Sequence, residues 1–154
     1  MPAVLTPRAR HVALAAACGA AGTAAWAAIE PPLARRLGHG YSDVRLLGRF
    51  AAGERLWRPA GVAIHLSNGA AFGAALALTG ATTPRRAVAL VAAETLATWP
   101  LMAVADRIHP DRRSGRLPRL LTSRSVMVHE AITHALFAAV MAALFALIGR
   151  GPRR

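Results

Sequence analysis

Glu130 and His134 stand four residues apart in a long apolar run, VMVHEAITHALFAAVMAALFALIG. At about 100° per residue, that spacing stacks a carboxyl and an imidazole on one helix face, with Thr133 between them. Such a pair can exchange a proton, hold a cation, or fasten one helix to another. Three further polar side chains lie in other apolar runs: His65 and Asn68 in one, Glu94 in another. A charged side chain at the centre of a bilayer costs about 2.5–3.5 kcal/mol on insertion scales. These groups must therefore be neutral, paired, hydrated or bound to a cation.

Four chemistries are open to the set. The first is structural: buried Glu, His and Asn contacts hold helices together. The second is a polar pocket of His65, Asn68, Glu94, Glu130 and His134, which binds a small polar solute, a lipid headgroup or a proton. In the third, His65, Glu94, Glu130 and His134 offer two imidazoles and two carboxylates to zinc, manganese or iron. Their spacing is not the Glu-x-x-His of di-iron bundles, and no HExxH is present. The fourth is a non-covalent haem between His65 and either His134 or His129, since neutral imidazole is a normal axial ligand. The first two readings lead, with no cofactor expected. A divalent metal or haem in a membrane redox component is the alternative. No residue is assigned as catalytic, and nothing in the pattern points to an enzyme.

The elements that must position these residues are membrane helices. The chain has 154 residues, is 55% apolar, and gathers its apolar residues into four long blocks. Crossing a bilayer takes about 20 residues of helix. The spans expected are residues 12–29, 59–79, 87–105 and 126–148, in a single domain covering 1–154. The fold class is all-α: an antiparallel four-transmembrane-helix bundle, with a short amphipathic interfacial helix in the first loop.

That short helix is read from DVRLLGRFAA after Ser42 as N-cap. Val44, Leu46, Leu47 and Phe50 fall on one side, and Arg45 and Arg49 on the other. The first span is expected to stop at Glu30-Pro31-Pro32, because paired prolines remove helix hydrogen bonds. Residues 1–28 also fit a cleaved signal peptide: a basic lead, an apolar run and Ala25-Trp26-Ala27. Gly80, Thr83 and Pro84 form a tight turn, which predicts that spans two and three pack as antiparallel neighbours. Pro100 should break the third span. Ser123 or Ser125 can cap the fourth. Gly19 and Thr23, and Gly69 and Gly73, have the small-xxx-small spacing of close helix contacts. The Gly61/Gly69/Gly73 face suits either internal packing or a homo-oligomer. Cys18 reads as a small packing residue. His109 reads as a surface helix-end residue, His11 and His39 as solvated, and His129 as turned about 100° away from Glu130.

The net charge is +12, carried entirely by arginine; no lysine is present. The arginines sit between apolar blocks, where they meet anionic lipid headgroups, and not in a pattern suited to nucleic acid. Loops 30–58 and 107–125 hold twelve arginines against seven elsewhere. That bias places these loops in the cytoplasm and both ends of the chain outside. Heavy use of alanine and arginine without lysine suggests a bacterial inner-membrane protein.

Depth follows from the helical rise. Counted from the face of loops one and three, His65 lies about 9 Å deep, Asn68 and His134 about 13 Å, Glu130 about 7 Å and Glu94 about 18 Å. All five are thus expected in one leaflet, with Glu94 as the floor.

The runs YSDVRLLGR, WRPAGVAIHLSNGAAFGA, ETLATWPLM and DRIHP resemble a type of small four-span protein found in high-GC bacteria. The resemblance covers most of residues 12–148. It implies four spans and carries no activity, cofactor or site residue.

Overall fold

The computed structural model describes residues 6–149. The first helix, α1, runs Pro7–Arg36, and the second, α2, runs Asp43–Leu78. The third span is built of α3 (Pro84–Thr98), a 3₁₀ turn (Trp99–Leu101) and α4 (Met102–Ile108). A short α5 (Pro110–Arg113) and then α6 (Arg124–Gly149) complete the chain. Four helical stretches, Pro7–Arg36, Asp43–Leu78, Pro84–Ile108 and Arg124–Ile148, are long and apolar enough to cross a membrane. No strand occurs among the described residues. The protein is an all-α, antiparallel bundle of four membrane-crossing helices.

Local chemistry accounts for most helix ends. Thr6, Ser42 and Thr83 each accept a backbone N–H at the starts of α1, α2 and α3. Ser123 accepts from the amide of Val126 at the start of α6. Pro100 sits in the 3₁₀ turn that separates α3 from α4, as a proline inside a helix should.

Three features differ from the expectations. First, α1 continues through Pro31 and Pro32 to Arg36. Both rings stand on the exposed side of the helix, away from the packed interior, so the interruption is tolerated. Second, the loop-one helix and the second span are joined at a kink on Gly53, whose φ is 67°. Only glycine takes that backbone geometry readily. The leg before Gly53 folds back antiparallel along the leg after it. A methyl on Gly48 would lie 1.8 Å from the carbonyl oxygen of Trp57, and one on Gly61 would lie 1.9 Å from that of Val44. The second span therefore starts before Pro59, which lies inside the helix.

Third, the short turn at Gly80 does not make α2 and α3 packing neighbours. In space the order is α2, α1, α6, α3: α1 packs on α2 and α6, and α6 packs on α3. The turn ties only the ends of α2 and α3, and the helices diverge beyond it. The α1–α2 seam is built from small residues. A methyl on Gly19 would lie 1.9 Å from the Gly69 carbonyl oxygen, and one on Gly73 would lie 2.1 Å from that of Ala15. The whole Gly61/Gly69/Gly73 face is thus used within the chain: Gly61 against Val44, and Gly69 and Gly73 against α1.

Two apolar cores result. One joins Ala15, Cys18, Trp26, Leu76, Val91, Phe137, Met141 and Phe145 through the middle of the bundle. The other joins Tyr41, Leu46, Ala105, Leu117, Leu120 and Val126 under the loop face.

Candidate functional site

The divergence of α2 from α3 leaves a cavity of about 480 Å³. His65, Asn68, Glu94, Glu130 and His134 all line it, so the five residues singled out by depth share one space. Asp43, Thr23 and Thr98 also line it, and the rest of the wall is apolar and aromatic, among them Trp26, Leu46, Phe50, Phe72, Met102 and Phe137. No arginine lines it.

His134 is the joint of the polar wall. Its Nε2 lies 3.5 Å from Glu94, and its Nδ1 lies 3.4 Å from the Glu130 carboxyl and 2.9 Å from the Glu130 carbonyl oxygen. The i,i+4 spacing on α6 provides the second contact; the packing of α3 on α6 provides the first. Glu130 is buried, whereas the Glu94 side chain remains 42% exposed. The expected floor residue thus stands partly open, because nothing from α2 closes over α3. His65 is buried and does not touch His134 directly. The indole of Trp26 stands between them, 5.1 Å from the His65 ring and 4.3 Å from that of His134. Among the described residues no three His, Cys, Asp or Glu side chains are grouped to hold a metal ion.

The polar set extends further than the spacing indicated. Glu130 faces the Asp43 carboxyl and the Tyr41 hydroxyl. Tyr41 donates to Asp43 at 2.6 Å. The Glu30 carboxylate accepts from Trp26 Nε1 at 3.2 Å, from Ser42 Oγ at 2.6 Å and from the Asp43 amide at 2.7 Å. His129 Nε2 lies 4.0 Å from Glu30, and the His129 ring lies 5.2 Å from that of His39. His129 is fully buried, and its turn away from Glu130 brings it to this second cluster. His39 is half-buried beside it, not solvated, whereas His11 is exposed as expected. Glu30 marks the meeting point of α1 and the start of α2. Its signal in the sequence was an acid at the end of an apolar run, read there only as a helix stop. Asp43 was read only as the first residue of an interfacial helix.

At the loop face lies a separate ionic lock. Asp111 is fully buried and accepts from Arg45 Nε at 2.6 Å and Arg49 Nε at 3.0 Å. Burial alone would raise its carboxyl, but the hydrogen bonds and charges of Arg45 and Arg49 outweigh it and hold the group below the usual carboxylate range. His109, expected at the surface, is fully buried. Its Nε2 lies 3.1 Å from the Leu46 carbonyl oxygen, and its Nδ1 accepts from the Asp111 amide. Burial pushes its imidazole below the ordinary histidine range, against the opposing Leu46 hydrogen bond. Asp106 accepts from Arg112 and from the amides of Leu120 and Leu121, which ties loop three down.

No family model, no curated protein and no solved structure matches the chain.

Proposed function

We propose that this membrane protein binds an amphipathic small molecule, which reaches the cavity sideways from the bilayer between α2 and α3. The observation that carries the reading is the failure of these two helices to pack, with the cavity lying in the gap between them. The exposed lining residues Phe50, Leu101 and Val104 suit an apolar chain or ring. The polar side chains of His65, Asn68, Glu94, Glu130 and His134 suit a polar head. Largely apolar pockets with a few placed polar groups are the usual form of a small-molecule site. The proposed role is binding.

The test uses Trp26, which lines the cavity and is only 7% exposed. With Trp57 and Trp99 replaced by phenylalanine, Trp26 is the sole tryptophan. Brominated phospholipid or brominated non-ionic detergent should then quench its fluorescence, because chains reach it only through the cavity. A tryptophan placed at Leu96, which is 77% exposed, provides the lipid-facing control. Quenching of the control without quenching of Trp26 refutes the reading.

The arginine distribution supports a bacterial inner-membrane setting with loops 30–58 and 107–125 in the cytoplasm. Four of the twelve loop arginines, Arg45, Arg49, Arg112 and Arg116, pair with Asp106, Asp111 or Glu54. The others are placed to meet anionic headgroups. A reporter fused after Arg154 that is active only in the cytoplasm would reverse this orientation.

A further inference from the structure

We propose that the cavity takes a lipophilic cation, held by Glu94 and Glu130 in exchange for a proton. The inference rests on the cavity being a binding site and names the class of ligand.

The first argument is charge. Asp43, Glu94 and Glu130 line the cavity together with His65 and His134, and no arginine does. Carboxylates out of water need a compensating positive charge, either a bound proton or a cation. The second argument is unmet bonding capacity. The buried side-chain atoms without a hydrogen-bond partner among the described residues are His39 Nε2, Asp43 Oδ2, His65 Nε2, both ring nitrogens of His129, and Glu130 Oε1. Asp43 Oδ2, His65 Nε2 and Glu130 Oε1 belong to residues that line the cavity, whereas His39 and His129 lie in the second cluster. Glu130 is 3% exposed, faces the cavity, and keeps an oxygen free there. Orphaned buried polar atoms are costly and scarce in native proteins, so their concentration here points to an occupant.

The third argument is the rest of the wall. Trp26, Phe50, Phe72 and Phe137 present aromatic rings to the same space. Ring faces attract cations, most strongly once water is excluded. Among the described residues no three ligating side chains are grouped to hold a compact metal ion. A bulky cation of delocalised charge suits the site: it needs spaced carboxylates and broad aromatic contact.

The exchange follows from electroneutrality. Without ligand, a proton held in the wall supplies the compensating positive charge. A cation seated against Glu94 and Glu130 takes over the compensating role, and a proton leaves. The groups packed around this site are Glu30 on α1, His39 and Tyr41 on the connecting loop, Asp43 and His65 on α2, Glu94 on α3, and His129 and His134 beside Glu130 on α6.

The probe is tetraphenylphosphonium, with tetraphenylborate as an anion of the same shape. Equilibrium dialysis of the full chain in detergent, against empty micelles, should show saturable binding of the cation and none of the borate. Binding in weakly buffered solution should release protons. Affinity should weaken by about tenfold per pH unit on the acid side, as displacement of one proton requires. Glu94→Gln and Glu130→Gln should each reduce affinity by about tenfold or more, the loss expected of one charged contact. Glu54→Gln, at the loop face, should not. Equal binding of both probes, or binding of the cation without pH dependence in the unmodified protein, overturns the proposal. So does absence of cation binding in a protein whose Trp26 is quenched by brominated chains, and the cavity reading then stands alone. An unquenched Trp26 removes the cavity reading itself.

Discussion

The Nε of Arg45 donates to Oδ2 of Asp111 at 2.6 Å, joining the first leg of α2 to the segment after α4. Arg49 reaches the other oxygen of the same carboxylate. Replacing Asp111 by alanine leaves two guanidinium groups without that partner over a packed surface. The expected loss is about 2–3 kcal/mol, in the range for hydrogen bonds to charged groups. Unfolding of the variant in the same detergent measures it. A loss below about 0.5 kcal/mol, typical of neutral surface changes, would mean that the lock contributes little.

The lock also predicts a response to acid. The His109 imidazole is depressed by burial, so the unfolded chain takes up this proton and the folded chain does not. Its contribution is complete above the ordinary histidine value of about 6.5 and is lost progressively below it. Asp111, also depressed, contributes above its ordinary value of about 3.9 and is lost as pH falls further. Loop three should therefore loosen in two acid steps. Amide exchange over residues 107–123 at graded pH reads this directly, and His109→Gln should abolish the first step while retaining the second.

The glycine seam discriminates between two kinds of crowding. A methyl on Gly19 meets the backbone of α2, which cannot move aside without separating the helices. A methyl on Gly22 meets only the Phe137 ring, 2.6 Å away, which can rotate. Gly19→Ala should cost about 1–3 kcal/mol, as overpacking does, and Gly22→Ala clearly less. Thermal unfolding of the two variants side by side decides; equal losses would show that the seam is compliant.

Glu94 and His134 should be energetically coupled. Their contact of 3.5 Å crosses from α3 to α6 at the cavity wall. A cycle of Glu94→Gln, His134→Ala and the double variant should give about 0.5–3 kcal/mol of non-additivity. Strict additivity would separate the two groups and remove Glu94 from the polar wall.

The four spans were legible because each is a long apolar run, and length alone sets a bilayer crossing. The caps at Ser42, Thr83 and Ser123 and the break at Pro100 were legible for a similar reason, since they act within one helical turn. The helix order was not. A tight turn fixes where two helix ends meet, while the partner along each length is chosen by surfaces distant in sequence. Gly19, Gly69 and Gly73 carry that choice for α1 and α2. The five polar residues chosen by depth line one cavity, because helical rise is regular. Glu30 and Asp43 meet through the turn at residues 37–42, and His129 joins them through the packing of α6 on α1; neither leaves a trace in hydrophobic periodicity. Similarly, Asp111 finds Arg45 from 66 positions away, a separation that no local pattern encodes.

The leg of α2 before Gly53 is both a wall and a latch. Leu46, Leu47 and Phe50 look into the cavity, while Arg45 and Arg49 on the same leg are gripped by Asp111, and the ring of Phe50 rests 4.7 Å from that of His109. A rigid leg cannot shift one side without shifting the other. On the proposed binding reading, occupancy of the cavity and acidity at the loop face would be reciprocal: whatever factor the latch imposed on affinity, the bound molecule would return to the latch. Ligand affinity measured in Asp111→Ala, and loop-three exchange measured with and without ligand, would read the same coupling from its two ends.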